Sequence, residues 1–163
     1  MTNETQNNIK ELKKEYSILE KKYKLPAFEK LAEDFDIEGV IEKETSFILR
    51  DVRRAINDKL GAYLRLCEMF LAPESPSLFV FSILGKINED DKKSVKEIHY
   101  RLARLQLEAI RLDTIYDEKK EAEFIVQITK EWQVLKVKIY DIIGRVDKKF
   151  DSSSKVTKQE YFG

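Results

Sequence analysis

Glycine, proline, cysteine and histidine are all scarce in this chain of 163 residues, and each shortage removes a class of chemistry. None of the five glycines stands in a Gly-x-Gly arrangement, which excludes the familiar phosphate-cradling loops. One cysteine, Cys67, permits no internal disulfide and suits a reducing cytoplasm. With His99 as the single histidine, a Cys/His zinc site cannot be assembled within one chain. The paired Glu-x-x-His motifs of a ferritin-like di-iron centre are missing, and no serine sits in a nucleophile-elbow context. An excess of one charge is missing too. Thirty Lys and Arg balance 30 Asp and Glu, so no net charge draws the chain toward nucleic acid or an anionic membrane. No apolar stretch approaches the ~18 residues needed to cross a bilayer. The start, Met1-Thr2-Asn3-Glu4, shows no basic segment leading into an apolar one, so no signal peptide is expected.

What the chain does contain is charge and helical periodicity. Apolar residues at 42% and charged residues at 37% are compatible with one charge-rich domain that buries a real core. Ile9, Leu12, Tyr16, Leu19 and Tyr23 recur at alternating steps of three and four, a coiled-coil-like stripe that Pro26 ends. Phe28, Leu31 and Phe35 predict a short second helix, and Asp36-Ile37-Glu38-Gly39 a turn. A long helix over about 40–72 places Ile41, Ile48, Val52, Ala55, Ile56, Tyr63, Cys67 and Phe70 on one face. Arg50, Arg53, Arg54, Asn57 and Glu68 then fall on the opposite side.

Pro73 and Pro76 stop that helix, and the most apolar run of the chain follows, Leu78 to Leu84. Its residue types suit a strand, but no second strand candidate exists to pair with it. Ser75 as cap and Pro76 at the first helical position predict a helix instead. An apolar arc of roughly 200° requires cover on most sides, from the bundle or from a partner.

After the polar break Asn88 to Asp91, a heptad stripe runs Val95, Ile98, Leu102, Leu105, Ala109, Leu112, Tyr116. A second register runs Glu121, Ile125, Ile128, Trp132, Leu135, Ile139, Ile142, Val146. The two are out of phase by one step, which marks either a turn capped by Thr114 or Asp117, or a stutter in one continuous helix. The turn is preferred, because a helix of ~60 residues would run ~90 Å and need an equally long partner.

The predicted fold is all-α: an antiparallel bundle of three long helices, with a short apolar helix and the N-terminal coiled-coil-like helix. Residues 1–24 form the heptad helix, 25–150 the bundle domain, and 151–163, which include Ser152-Ser153-Ser154-Lys155, a disordered tail.

Polar residues on apolar faces are the remaining signals. Lys59 sits within the third segment's apolar face, where its stem packs and its amine reaches water. His99, Gln106 and Asp113 fall seven apart beside the heptad stripe and read as a polar seam that fixes helix register. A simple hairpin register leaves Lys59 and Asp113 ~15 Å apart, too far to pair. Arg50, Arg53 and Arg54 share an outer side, but interleaved Asp51 and Asp58 favour local ion pairs on a solvated surface over a phosphate-tracking groove. Glu118 and Glu121 form one Glu-x-x-Glu pair of the kind that holds magnesium, and no matching downstream pair exists, since Glu131 is followed three later by Val134.

These features predict a non-enzymatic protein-protein interaction or scaffold protein, self-associating or bound to another protein, with no cofactor and no small-molecule ligand. Its candidate contacts are Leu78, Phe79 and Phe81 on the apolar helix and Ile9, Leu12, Tyr16 and Leu19 on the N-terminal one. The alternatives are a nucleic-acid accessory protein using Arg50, Arg53 and Arg54, and a carboxylate-metal nucleotide hydrolase around Glu118 and Glu121.

Overall fold

The structure, a computed structural model, describes residues 3–37, 47–72 and 78–160, with the side chains of 3–9, 79 and 150–160 outside the description. Among the described residues there are six α-helices and no strand: α1 (Asn3–Tyr23), α2 (Phe28–Phe35), α3 (Ile48–Leu71), α4 (Leu78–Leu84), α5 (Glu89–Thr114) and α6 (Glu118–Glu160). None of them is long and apolar enough to cross a membrane.

Local chemistry sets where these helices begin and end. The α1 helix closes at Tyr23 because Lys24 turns left-handed at φ 54°, and the Leu25 N–H then bonds the Glu20 carbonyl at 3.1 Å. Pro26 follows two residues later, where a helix cannot continue. Asp36 ends α2 the same way, at φ 53° with its N–H on the Ala32 carbonyl. Both sites use a non-glycine residue in a conformation that glycine adopts more cheaply.

The apolar run is helical, as the sequence predicts; its expected starting residues, Ser75 and Pro76, lie outside the described residues. A reciprocal cap opens α5: the Asp91 N–H donates to Asn88 Oδ1 at 2.7 Å, and the Asn88 N–H reaches Asp91 Oδ2 at 3.4 Å. The phase shift after Tyr116 is a break between two helices. Asp117 caps α6 by accepting from the Lys120 N–H at 3.1 Å, which settles the choice between turn and stutter.

Two lengths differ from expectation. A turn after Tyr116 predicts three helices of similar length, about 26–34 residues each, and the three span 24, 26 and 43 residues. The helix α6 continues to Glu160, through most of the stretch expected to be a tail. The third helix is described from Ile48, so its expected first turns, with Ile41, lie outside the described residues.

The chain divides into two compact units, Met1–Ala62 with Ala103–Trp132, and Tyr63–Leu102 with Gln133–Gly163. In the first, Tyr16, Phe28, Leu31, Phe35, Val52 and Ile56 are buried together with Ile125 and Ile128. Tyr16 meets Phe28 edge-on at 5.6 Å, Phe35 tilts against Trp132 at 5.7 Å, and the Tyr16 hydroxyl donates to the Pro26 carbonyl at 2.8 Å. In the second, Ile83, Ile87 and Val146 cluster with half-buried Phe70, while Cys67, Val95, Ile98 and Ile142 are buried. Every member of the register from Glu121 to Val146 is buried.

Candidate functional site

The first unit holds a buried ion cluster. Arg53, on α3, has 0% of its surface exposed. Its Nε donates to Glu121 Oε2 at 2.5 Å, one Nη to Asp113 Oδ1 at 2.7 Å and the other to the Ala109 carbonyl at 3.3 Å. Glu121 is equally buried, and its other oxygen faces Arg50 Nε at 3.5 Å without hydrogen-bond geometry. Arg54 shares Asp113 through two bonds of 3.1 and 3.0 Å. Three guanidiniums therefore meet two carboxylates. Burial alone would lower the Arg53 pKa, but the hydrogen bonds and charges of Asp113 and Glu121 outweigh it and raise it. The Arg53 hydrogen bond, assisted by Arg54 and opposed by burial, holds the Asp113 carboxyl below its usual range.

Aromatic groups flank the cluster. The Arg50 guanidinium lies over the Tyr116 ring at 4.8 Å and the Phe47 ring at 5.7 Å, and those two rings meet edge-on at 4.5 Å. Nearby, Glu118 accepts from the Tyr23 hydroxyl at 2.7 Å and from Lys22 Nζ at 2.9 Å. Those two bonds, Tyr23 first, lower its pKa. Glu118 and Glu121 are thus committed to different cations, and no group of three or more metal-ligating side chains occurs among the described residues.

Arg50, Arg53 and Arg54 do not form an open cationic face. Arg53, expected on the solvated side, is enclosed because α3 buries Leu49, Ile56 and Leu60 beside it as well as Val52. Asp113, expected in a polar seam with His99 and Gln106, is the shared acceptor of Arg53 and Arg54. His99 approaches Glu68 at 3.7 Å, Gln106 is half-buried, and Lys59 is partly exposed. On α1, Tyr16 is buried and Leu12, Leu19 and Tyr23 are half-buried within the first unit; the side chain of Ile9 lies outside the description. The N-terminal stripe is thus largely covered by its own unit.

Sequence reasoning missed the Arg53–Glu121 pair although both halves leave a trace. Arg53 occupies a slot in the heptad Leu49, Arg53, Ile56, Leu60, and Glu121 opens an otherwise apolar register. A cation in one stripe and an anion in another is the signature of a buried pair.

In the second unit the buried carboxylate is Asp91. It accepts from Arg145 Nε at 2.8 Å, with an Arg145 Nη at 2.7 Å and Lys149 at 3.9 Å in ion-pair range. Lys86 and Lys149 each donate to the other's backbone carbonyl, at 3.3 and 2.6 Å. Burial, ahead of the nearby Glu68 charge, pushes the Cys67 thiol up to about 11, so little of it is thiolate at neutral pH. On α4, Val80 and Ile83 are buried, whereas Leu78 is 89% and Phe81 69% exposed; the side chain of Phe79 lies outside the description.

An open-sided groove of about 670 Å³ also lies in the first unit, between the end of α5 and the start of α6. Buried Phe124 and half-buried Leu112 line it with exposed Leu107 and Ile115, and Arg104 and Arg111 stand at its edge.

Comparison with known protein families, curated proteins and solved structures finds no match to this chain.

Proposed function

We propose that the chain is a non-enzymatic helical protein that works by binding another protein chain through α4. The observation that carries this is the split of that short helix. Val80 and Ile83 anchor it, while Leu78 and Phe81 present two large apolar side chains to water. Covering such side chains contributes roughly 1.5–3 kcal/mol each, enough to matter in a contact. The architecture that goes with this reading is an antiparallel bundle of α3, α5 and α6. Glu108 with Gln127 in the first unit supports it, as do Glu97 with Lys138 and Asp91 with Arg145 in the second. In the second unit the α5 number rises as its α6 partner's falls.

The test replaces Leu78 and Phe81 by Ser in the full chain. Helical content by circular dichroism should stay unchanged. Self-association by sedimentation, or capture of a specific partner from the native host, should be lost. A folded variant that retains the association of the parent chain would remove this reading.

A further inference from the structure

The groove in the first unit carries a second inference, independent of α4, about the chemistry of a partner. Its apolar lining and its charge come from separate residues. Exposed Leu107 and Ile115 stand above the Phe124 and Leu112 floor. The acidic groups at the groove are already engaged: Glu108 accepts from the Gln127 amide at 3.3 Å, and Glu123 faces Lys119 at 3.7 Å. Arg104 and Arg111 are different. Both are exposed, and neither guanidinium has a hydrogen bond or ion pair among the described residues. Of the α5 arginines on this side, Arg101 does hold a local partner, Glu97 at 3.0 Å.

We propose that this groove receives an acidic amphipathic helix of a partner protein, whose apolar side chains cover Leu107 and Ile115 and whose carboxylates meet Arg104 and Arg111. The spacing fits. Seven residues on one helix separate the two arginine backbone positions by about 10.5 Å along the axis, the rise between residues one heptad apart on a helix laid alongside. An arginine fork takes a carboxylate in two parallel hydrogen bonds, which fixes register as well as charge. A small ligand fits less well, because such sites bury most of the ligand's surface and this groove is open along one side. A second copy of the chain, with no net charge, has no general electrostatic attraction to it.

The experiment measures fluorescence anisotropy with the full chain and a labelled synthetic helix bearing leucines on one face and glutamates along its flanks. The expected result is saturable binding that weakens with salt and falls about tenfold or more when every glutamate is replaced by lysine. Arg104→Glu with Arg111→Glu should reverse that preference. Leu107→Asp, at an exposed position, should weaken binding of the acidic helix without altering helical content. Leu78→Ser with Phe81→Ser should leave it unchanged, which separates this groove from the α4 contact. Equal binding of a scrambled acidic peptide, or an unaltered preference in the double arginine variant, would overturn the proposal. So would self-association of the parent chain that the arginine variant abolishes, since a second copy would then fill the groove.

Discussion

Each unit buries a carboxylate, and the two solve the same electrostatic problem differently. In the first, Glu121 and Arg53 are both fully enclosed, so neither member can turn to water if the other is removed. In the second, Asp91 is 2% exposed, but its main partner Arg145 keeps 47% of its side chain in solvent. A second cation stands near each carboxylate, Lys149 at 3.9 Å from Asp91 and Arg50 at 3.5 Å from Glu121, so the exposure of the main partner is what separates the two. The lesson is that the cost of breaking a buried pair depends on what the survivor can do, more than on the length of the bond. An enclosed ion that loses its partner retains the whole desolvation penalty, whereas a half-exposed one rehydrates.

The comparison breaks most sharply at Arg53. Replacing it with Met should cost about 3–5 kcal/mol, read as a lower urea midpoint by the fluorescence of buried Trp132. Adding Glu121→Leu to that variant should recover most of the loss, because both charges then leave the interior. Failure of the second change to rescue the first would mean that Arg53 acts through Asp113 and the Ala109 carbonyl instead. In the second unit, Asp91→Asn leaves the half-exposed Arg145 to rehydrate and should cost no more than about 1 kcal/mol by urea unfolding followed by circular dichroism. A loss as large as that of Arg53→Met would erase the distinction between the units.

The smallest effect is a pH dependence. Asp113 has a folded-state pKa below its ordinary value of 3.8, so its contribution to stability is present above that value. It is lost as pH falls through the lower, folded pKa. Asp113→Asn should therefore flatten the stability profile of the first unit below about pH 4 and leave its shape near neutrality unchanged. Since Asp113 is substantially exposed, solvent screening keeps this slope shallow.

Much of the helical plan is legible in the sequence because it rests on periodicity and local chemistry. The short helix at Phe28, Leu31 and Phe35 and the buried register through Ile125, Trp132 and Ile139 follow from spacing within one segment, and the cap falls on Asp117, one of the two candidates, with Thr114, that the phase shift offers. What spacing could not supply is which face of α3 is covered. A helix packed on more than one side buries residues outside its strongest apolar stripe, so Arg53 looked solvated when read against Val52 and Ile56 alone. Asp113 was misassigned for a related reason. Its partner depends on how α3 meets α5, a long-range contact with no local signature. That Arg104 and Arg111 lack local acidic partners becomes visible only when Glu108 and Glu123 are seen engaged elsewhere.

The distance along the chain between Arg53 and Glu121 has a consequence during synthesis. They are 68 residues apart, and a ribosome adds roughly 5–20 residues per second, so the arginine is incorporated roughly 3–14 s before its carboxylate. Through that interval the α3 segment carries a cation in its future interior, and burying it without a partner would be costly, which opposes closure of the segment before Asp113 and then Glu121 are made.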